Sequence, residues 1–266
     1  MLNLATIHEA AAHSKLKIEW AKNHINGVKV LVHAVAEDNK NPISIKTDPN
    51  SGRAVVYIGP KQSVPASLPL HLGDAVHALN SAVDFLWSGL ARTIRPALTS
   101  RRIAFPRHET REQLEASFNN AKGSDAAIHK AFPKAKGFIL DEVKSYKVPS
   151  GNPSYIWHLG KLDNINKHRL LIATPYIIRF ERGLVMEGAD GGRVIHRPEA
   201  SIQTQGHPMT IGLTPPVKIQ NDPKPTVSVV FGEPEHFTRQ PVVETLVNLV
   251  AATSEVVKAF EKSFLA

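Results

Sequence analysis

The stretch from residue 72 to 92 constrains the fold most, because its apolar residues recur at steps of three and four. Val76, Leu79, Val83, Leu86 and Leu90 draw one apolar stripe along a helix of this length. Neither proline nor a cluster of turn-forming residues interrupts the stretch. The sequence therefore predicts a helix over 72–92 with one apolar side.

Other segments also have helical spacing. Residues 8–37 contain no proline, and apolar residues such as Leu16, Trp20, Ile25 and Val28 recur along them at roughly helical intervals. The NKNP segment that follows is expected to end this helix. Further helices are predicted over 110–146, as two or three short pieces, over about 154–169, with Ser154 as the N-cap, and over 238–264, which is amphipathic.

Two parts of the chain favour β-structure. Residues 43–46 and 53–58 flank the turn-rich TDPNSG and predict a hairpin. After residue 170, short β-prone runs alternate with Gly, Pro and Asp turns, the first turn lying near Arg182-Gly183. Strands and helices do not alternate regularly, which disfavours a doubly wound parallel sheet.

The predicted fold class is therefore α+β. A helical bundle core would carry an N-terminal β-hairpin insertion and a β-rich segment before a long C-terminal helix. We expect one domain over 1–266, with its helical core in 8–170 and 238–264 and a β insert at about 171–237. A split into two domains near residue 170 is the alternative.

Composition excludes several classes of site. The chain has no cysteine, so it contains neither disulfides nor thiolate zinc sites nor cysteine nucleophiles. The N-terminus lacks the pattern of a signal peptide, and no apolar run reaches the ~18 residues that span a membrane. We expect a cytoplasmic protein with no membrane partner.

Familiar catalytic and cofactor motifs are also missing. The sequence has no phosphate loop ending in Gly-Lys-Ser/Thr, no His-Glu-x-x-His and no Gly-x-Ser-x-Gly. GADGG at 188–192 lies between β-like segments without the helix of a dinucleotide cradle, so we interpret it as a turn. No cofactor is predicted.

Positive charge is concentrated in the middle of the chain. The net charge is +8, and residues 71–170 carry 15 basic and 9 acidic side chains. Arg101 and Arg102 belong to an arginine-rich stretch between 92 and 111, and arginine forks match phosphate oxygens. The middle third could therefore bind nucleic acid. The alternatives are a solvated basic surface and arginines paired with acidic residues of the same fold.

Polar residues on two predicted helices would meet if those helices pack together. Asp74, His77 and Asp84 are three and seven residues apart, and so lie on one face of the 72–92 helix. Asn164 and His168 share a face of the later helix. Histidine and aspartate suit general acid–base chemistry and the binding of zinc or manganese, although whether a metal is needed stays open.

A structural interpretation of the same residues competes with the catalytic one. Helix-borne His and Asp often form buried hydrogen-bonded networks without any chemistry. Asp163 and Lys167 have the i,i+4 spacing of an ordinary surface ion pair. Spacing alone does not decide between the two interpretations.

Two segments resemble a family of bacterial proteins of unknown function. LGDAVHALNSAVDFLW resembles the family pattern (I/L)GDxxHNLRSALDHLxW, and IWHLGKLDNINKHRLLI resembles LWxLxxLNNIDKHRLLL. AFPRHE and AKNHI fit the same group, and the match covers roughly residues 14–172. The positions that match in the two helical motifs include Asp74, His77, Asp84, Asn164, Lys167, His168 and Arg169.

The resemblance implies a distant relation to HEPN ribonucleases, whose helical dimers cut RNA with an Arg-x4-His pair. This chain departs at both positions, with Asn80 in place of the arginine and Phe85 in place of the histidine. Asparagine supplies no fixed positive charge and phenylalanine moves no proton. A member of such a family with these two residues should be inactive by that route.

The sequence is compatible with three alternative functions, each from a different class. The first is a non-catalytic binding protein for a protein or nucleic-acid partner in a bacterial or phage setting. The second is a hydrolase or ribonuclease of HEPN-like type, with His77, Asp84 and His168 as catalytic residues. A third is a structural module that assembles as a homodimer through its C-terminal helix. The residues predicted to bind a ligand or partner are Asp74, Asn164, Lys167, Arg169, Arg101 and Arg102.

Overall fold

The computed structural model describes residues 3–59, 64–94, 103–120, 123–148, 154–171, 173–197, 201–204, 209–232 and 235–266. Within these ranges the chain combines helices with small antiparallel sheets. In chain order the helices are α1 (Leu4–Asp38), α2 (Ser67–Ile94), α3 (Arg111–Asn119), α4 (Ser124–Ala131), α5 (Lys134–Gly137), α6 (Tyr155–His168) and α7 (Val242–Phe264), and Phe138–Val143 continues α5 as a π-helical segment.

The strands form three-stranded antiparallel sheets. Their bounds are β1 (Ile43–Thr47), β2 (Ala54–Ile58), β3 (Ala173–Phe180), β4 (Leu184–Glu187), β5 (Arg193–His196), β6 (Ser201–Thr204), β7 (Met209–Leu213), β8 (Lys218–Ile219) and β9 (Pro225–Phe231). The strand orders are β1-β2-β7, β6-β3-β9 and β5-β4-β8. The predicted α+β class, with its N-terminal hairpin, its later β segment and its closing helix, is confirmed.

The residues cluster into two compact units. A helical unit comprises Met1–Asn26, Leu70–Leu171 and Val243–Ala266, and a sheet unit comprises Gly27–Pro69 and Ile172–Val242. The hairpin β1–β2 thus groups with the later strands, since β2 pairs with β7 over Ala54↔Leu213 to Ile58↔Met209. The single-domain organisation, like the split near residue 170, stays a prediction.

The core of the helical unit forms around α2. All five residues of the predicted stripe, from Val76 to Leu90, are fully buried. The α7 side chains Leu246, Leu249 and Phe260 are buried too, and the Phe260 ring lies 6.0 Å from that of Phe138. The apolar face of the closing helix is thus largely covered within one chain.

Helix α1 buries only part of the apolar set picked out from the sequence. Ile25 and Val28 are buried as expected, whereas Leu16 and Trp20 are 67% and 55% exposed. Near Leu16 the buried positions carry Ile18 and several small residues, Ala10, Ala11, Ser14 and Ala21. Ser14 Oγ donates to the carbonyl of Ala82 at 2.6 Å, which ties α1 closely to α2.

The sheet unit has its own apolar core. Val56, Ile58, Phe180, Leu184 and Met186 pack in one buried cluster that Ile178 and Leu213 complete. Tight turns connect its strands, as predicted near Arg182-Gly183, where Gly183 has φ +68°. Residues 188–192 also form a turn, in which Asp190 accepts hydrogen bonds from Gly192 N and the Thr214 hydroxyl.

None of the helices that the structure describes is both long enough and apolar enough to cross a bilayer.

Candidate polar site between two helices

A buried carboxylate, Asp163 of α6, is the centre of a polar network that we call the seam. Its side chain is 1% exposed. Oδ1 lies 2.8 Å from Nδ1 of His77, while Oδ2 accepts from Asn80 Nδ2 at 2.8 Å and from Lys167 Nζ at 2.6 Å. Three donors therefore surround one carboxylate, two of them from α2 and one from α6 itself.

Helical spacing explains how these side chains meet. His77, Asn80 and Asp84 lie three, four and seven residues apart on α2, beside its buried stripe. On α6, Lys167 is one turn after Asp163. Gly73 lets Asn166 of α6 approach α2, because a Cβ at residue 73 would lie 2.7 Å from Asn166 Cγ.

Asn80 links Asp163 to a second carboxylate. Its Nδ2 donates to Asp84 Oδ2 at 3.0 Å as well as to Asp163, and its side chain is almost completely buried. Asp84 Oδ1 accepts from the backbone N–H of Phe105 at 2.9 Å. The Asn80 amide is thus a neutral bridge between two carboxylates.

Arg107 supplies positive charge next to Asp84. Its Nη1 lies 3.7 Å from Asp84 Oδ1, and its Nε donates to the carbonyl of Ile156 at 3.0 Å. Burial lowers the pKa of the Arg107 guanidinium from its ordinary value, while the Asp84 and Asp163 carboxylates act in the opposite direction. With Lys167, the seam balances two carboxylates against two permanent cations, and His77 adds a charge only when it is protonated.

The structure brings together some of the predicted residues and not others. His77, Asp84 and Lys167 belong to the seam. His168 and Arg169 lie exposed at the end of α6, and no hydrogen bond or ion pair of the described residues joins His168 to His77 or Asp84. The catalytic roles assigned to His77, Asp84 and His168 stay predictions.

The predicted binding residues have separate locations. Asp74 is 62% exposed and lies 3.7 Å from His24 Nδ1. Asn164 is exposed and lines a cavity beside Arg107. Arg101 and Arg102 lie outside the described residues.

Sequence reasoning missed the central residue of the seam. Asp163 was expected in a surface ion pair with Lys167; the pair forms at 2.6 Å, but its placement at the surface is wrong because the Asp163 carboxylate is buried. Asp163 directly follows the buried Leu162, one turn after the buried Leu159, which was the available signal that it borders the apolar face. Arg107 was considered only as a member of the arginine-rich stretch between 92 and 111, and not as a neighbour of Asp84.

The geometry has two chemical consequences. If Nδ1 of His77 donates to Asp163, Nε2 is the ring nitrogen left to accept a proton, and the ring itself is 52% exposed. A metal site is not part of this arrangement, since among the residues that the structure describes no group of three His, Asp or Glu is placed to hold an ion.

The fold and the seam define an α+β protein whose helical unit contains an internally neutralised carboxylate network. Compared with protein-family models, with curated proteins and with solved structures, the chain matches none of them. The likeness to the bacterial family and to HEPN ribonucleases therefore stays a prediction.

Proposed function

We propose that the protein is a non-catalytic binding protein for nucleic acid, which it contacts through the basic end of α6. The observation that carries this proposal is the closed seam. Asp163 and Asp84 are already bonded to His77, Asn80, Lys167 and the Phe105 N–H, so they offer little to a metal ion or a substrate. Cationic groups next to them are still accessible.

The accessible cations lie close together in sequence. The side chain of Lys167 is 53% exposed, and Arg169 follows two residues later on the exposed end of the helix. A lysine ammonium has three donors, so the bond from Lys167 to Asp163 leaves two for phosphate oxygens. The positive charge of residues 71–170 supports attraction of a polyanion over a longer range.

Neutralising these two cations should weaken nucleic-acid binding. We expect Lys167→Ala/Arg169→Ala to bind single- and double-stranded RNA or DNA at least about tenfold more weakly, and the slope of log affinity against log salt to fall by about 1 per lost phosphate contact. Fluorescence anisotropy over a salt series measures both quantities.

The matched control is Lys258→Ala/Lys262→Ala, which removes the same charge from exposed positions of α7. Arg169 makes none of the Asp163 contacts described above, so Arg169→Ala alone keeps Lys167 in place, and its free energy of unfolding, measured in urea, separates a loss of binding from a loss of folding. Equal losses in the test and control variants would show that net charge, and not the end of α6, determines binding. If the unmodified chain binds no nucleic acid at low salt, the nucleic-acid proposal is wrong. A binding protein with a protein partner would then be the hypothesis to test.

A hydrolase or ribonuclease is the second candidate, and one observation favours it. The buried Asp163 carboxylate orients His77 through Nδ1, as a positioned acid–base residue requires, and leaves the half-exposed ring at the surface. If the protein cuts RNA, His77→Gln should lower the rate about a hundredfold.

His168→Ala serves as the comparison for this second candidate, because the structure does not join His168 to the seam. Cleavage of a labelled RNA followed by gel electrophoresis measures both variants. A rate unchanged by His77→Gln would exclude His77 and Asp163 as a catalytic pair. Loss of the rate in His168→Ala would instead favour the three residues predicted from the sequence, His77, Asp84 and His168.

A further inference from the structure

A polar cavity of about 390 Å³ lies between the segment around residue 108 and one face of α6. Its volume is within the range of small-molecule sites. The side chains that line it are rich in hydrogen-bond donors and include Arg107, His108, Gln113, Lys161 and Asn164. The cavity is thus suited to a ligand that accepts hydrogen bonds.

Arg107 has an unused donor in this region. Nε is bonded to the Ile156 carbonyl and Nη1 lies near Asp84, but Nη2 is buried and has no hydrogen-bond partner among the described residues. A charged donor buried without an acceptor is costly, so such groups normally have a partner. In its present position Nη2 is closed off from the cavity, but Arg107 lines the cavity, so a turn of its guanidinium would let a ligand oxygen supply that partner.

Gly160 of α6 makes room for Arg107 beside the cavity. A Cβ at residue 160 would lie 2.6 Å from Arg107 Cδ, so only glycine leaves room for the arginine in its present position. The carboxylate of Glu109, which also lines the cavity, forms an ion pair with Lys161. A ligand anion would therefore meet little net repulsion from Glu109, and it would share the Arg107 guanidinium with Asp84.

We propose that this cavity binds the oxyanion group, phosphate or carboxylate, of a small ligand, with Arg107 as the anchor and Asn164 and Gln113 as polar contacts. The site is separate from the nucleic-acid surface proposed above, since neither Lys167 nor Arg169 lines it. A charge-assisted hydrogen bond from an arginine nitrogen suits both kinds of oxyanion.

Thermal unfolding with added anions tests the proposal on the full chain. The two probes are inorganic phosphate and succinate, each at about 10 mM, with sodium chloride added to match the ionic strength. The probe whose oxyanion group the cavity recognises should raise the Tm of the unmodified protein in a saturable way. A shift with phosphate alone identifies a phosphate-bearing ligand, and a shift with succinate alone identifies a carboxylate.

Asn164→Leu is the main variant, because Asn164 is exposed and belongs to no bond of the seam. We expect its apparent affinity for the effective anion to be at least about tenfold lower, which is the loss of one charge-assisted hydrogen bond. Asn23→Leu makes the same change at an exposed position of α1, and Arg169→Ala removes a nearby cation; both should keep the full shift.

Arg107→Lys keeps the positive charge but removes the guanidinium group. If this variant folds, it should abolish the rise in Tm that the anion causes. Gln113→Leu provides a further variant in case Arg107→Lys does not fold. The proposal is overturned if neither anion raises the Tm of the unmodified chain. It is also overturned if Asn164→Leu and Gln113→Leu respond as that chain does.

Discussion

Replacing Asp163 with alanine is expected to lower the free energy of unfolding by about 3–5 kcal/mol, the usual result of removing one partner from a buried ionic network. The change takes the acceptor from His77 Nδ1, Asn80 Nδ2 and Lys167 Nζ together. Asn80 is almost completely buried, so water does not easily replace the lost bond. Urea unfolding followed by circular dichroism measures the loss.

Asp74→Ala is the matched control for this prediction. Asp74 is also an aspartate close to a histidine on the helical unit, but it is 62% exposed and lies 3.7 Å from His24. Its removal should cost less than about 1 kcal/mol, as exposed ion pairs generally do. If Asp163→Ala destabilises the protein no more than Asp74→Ala, the seam does not hold α2 and α6 together.

Sequence periodicity predicted α2 well because large apolar side chains fill its buried face. All five predicted positions are fully buried. On α1 the same reasoning was right for Ile25 and Val28, which are buried. It also selected Leu16 and Trp20, which are exposed, and it passed over Ala10, Ala11 and Ser14, which are buried. A hydropathy pattern ranks large residues above small ones, whereas a close contact between two helices requires small ones.

The seam could be predicted only in part, for a related reason. His77 and Asp84 were recognisable because they share a face of one helix. Asp163 was not, since an Asp and a Lys four residues apart give the same pattern on an exposed helix and on a buried one. Its burial depends on how α6 packs against α2, and the spacing within α6 contains no information about that packing.

The remaining misses concern contacts between distant parts of the chain. Arg107 lies in an irregular segment without periodicity, so nothing local placed its guanidinium beside Asp84. The pairing of β2 with β7 joins residues 54–58 to residues 209–213. Each strand was predictable from its own composition, but the partner of a strand is chosen by the fold as a whole.

Gly89→Ala is expected to destabilise the protein by about 2 kcal/mol, although alanine normally stabilises a helix interior by about 1 kcal/mol relative to glycine. Gly89 lies inside α2, in the part that leads to its last residue Ile94, and a Cβ added there would overlap the Cβ of Ala10 on α1. Ala10 is fully buried and has no room to move aside. The steric cost of separating two packed helices should therefore exceed the gain in helix propensity, as thermal or urea unfolding would show.

A control and a rescue make the Gly89 prediction specific to the contact between α1 and α2. Gly137→Ala adds the same methyl group where the nearest atom, Asp141 Oδ2, is 3.8 Å away, and should be neutral or slightly stabilising. Ala10→Gly removes the atom that Gly89→Ala would meet, so the double variant should be at least about 1 kcal/mol more stable than the sum of the two single changes. Additive effects would mean that Ala10 and Gly89 are not in contact, and that close packing against α2 is not the reason why α1 buries small residues at these positions.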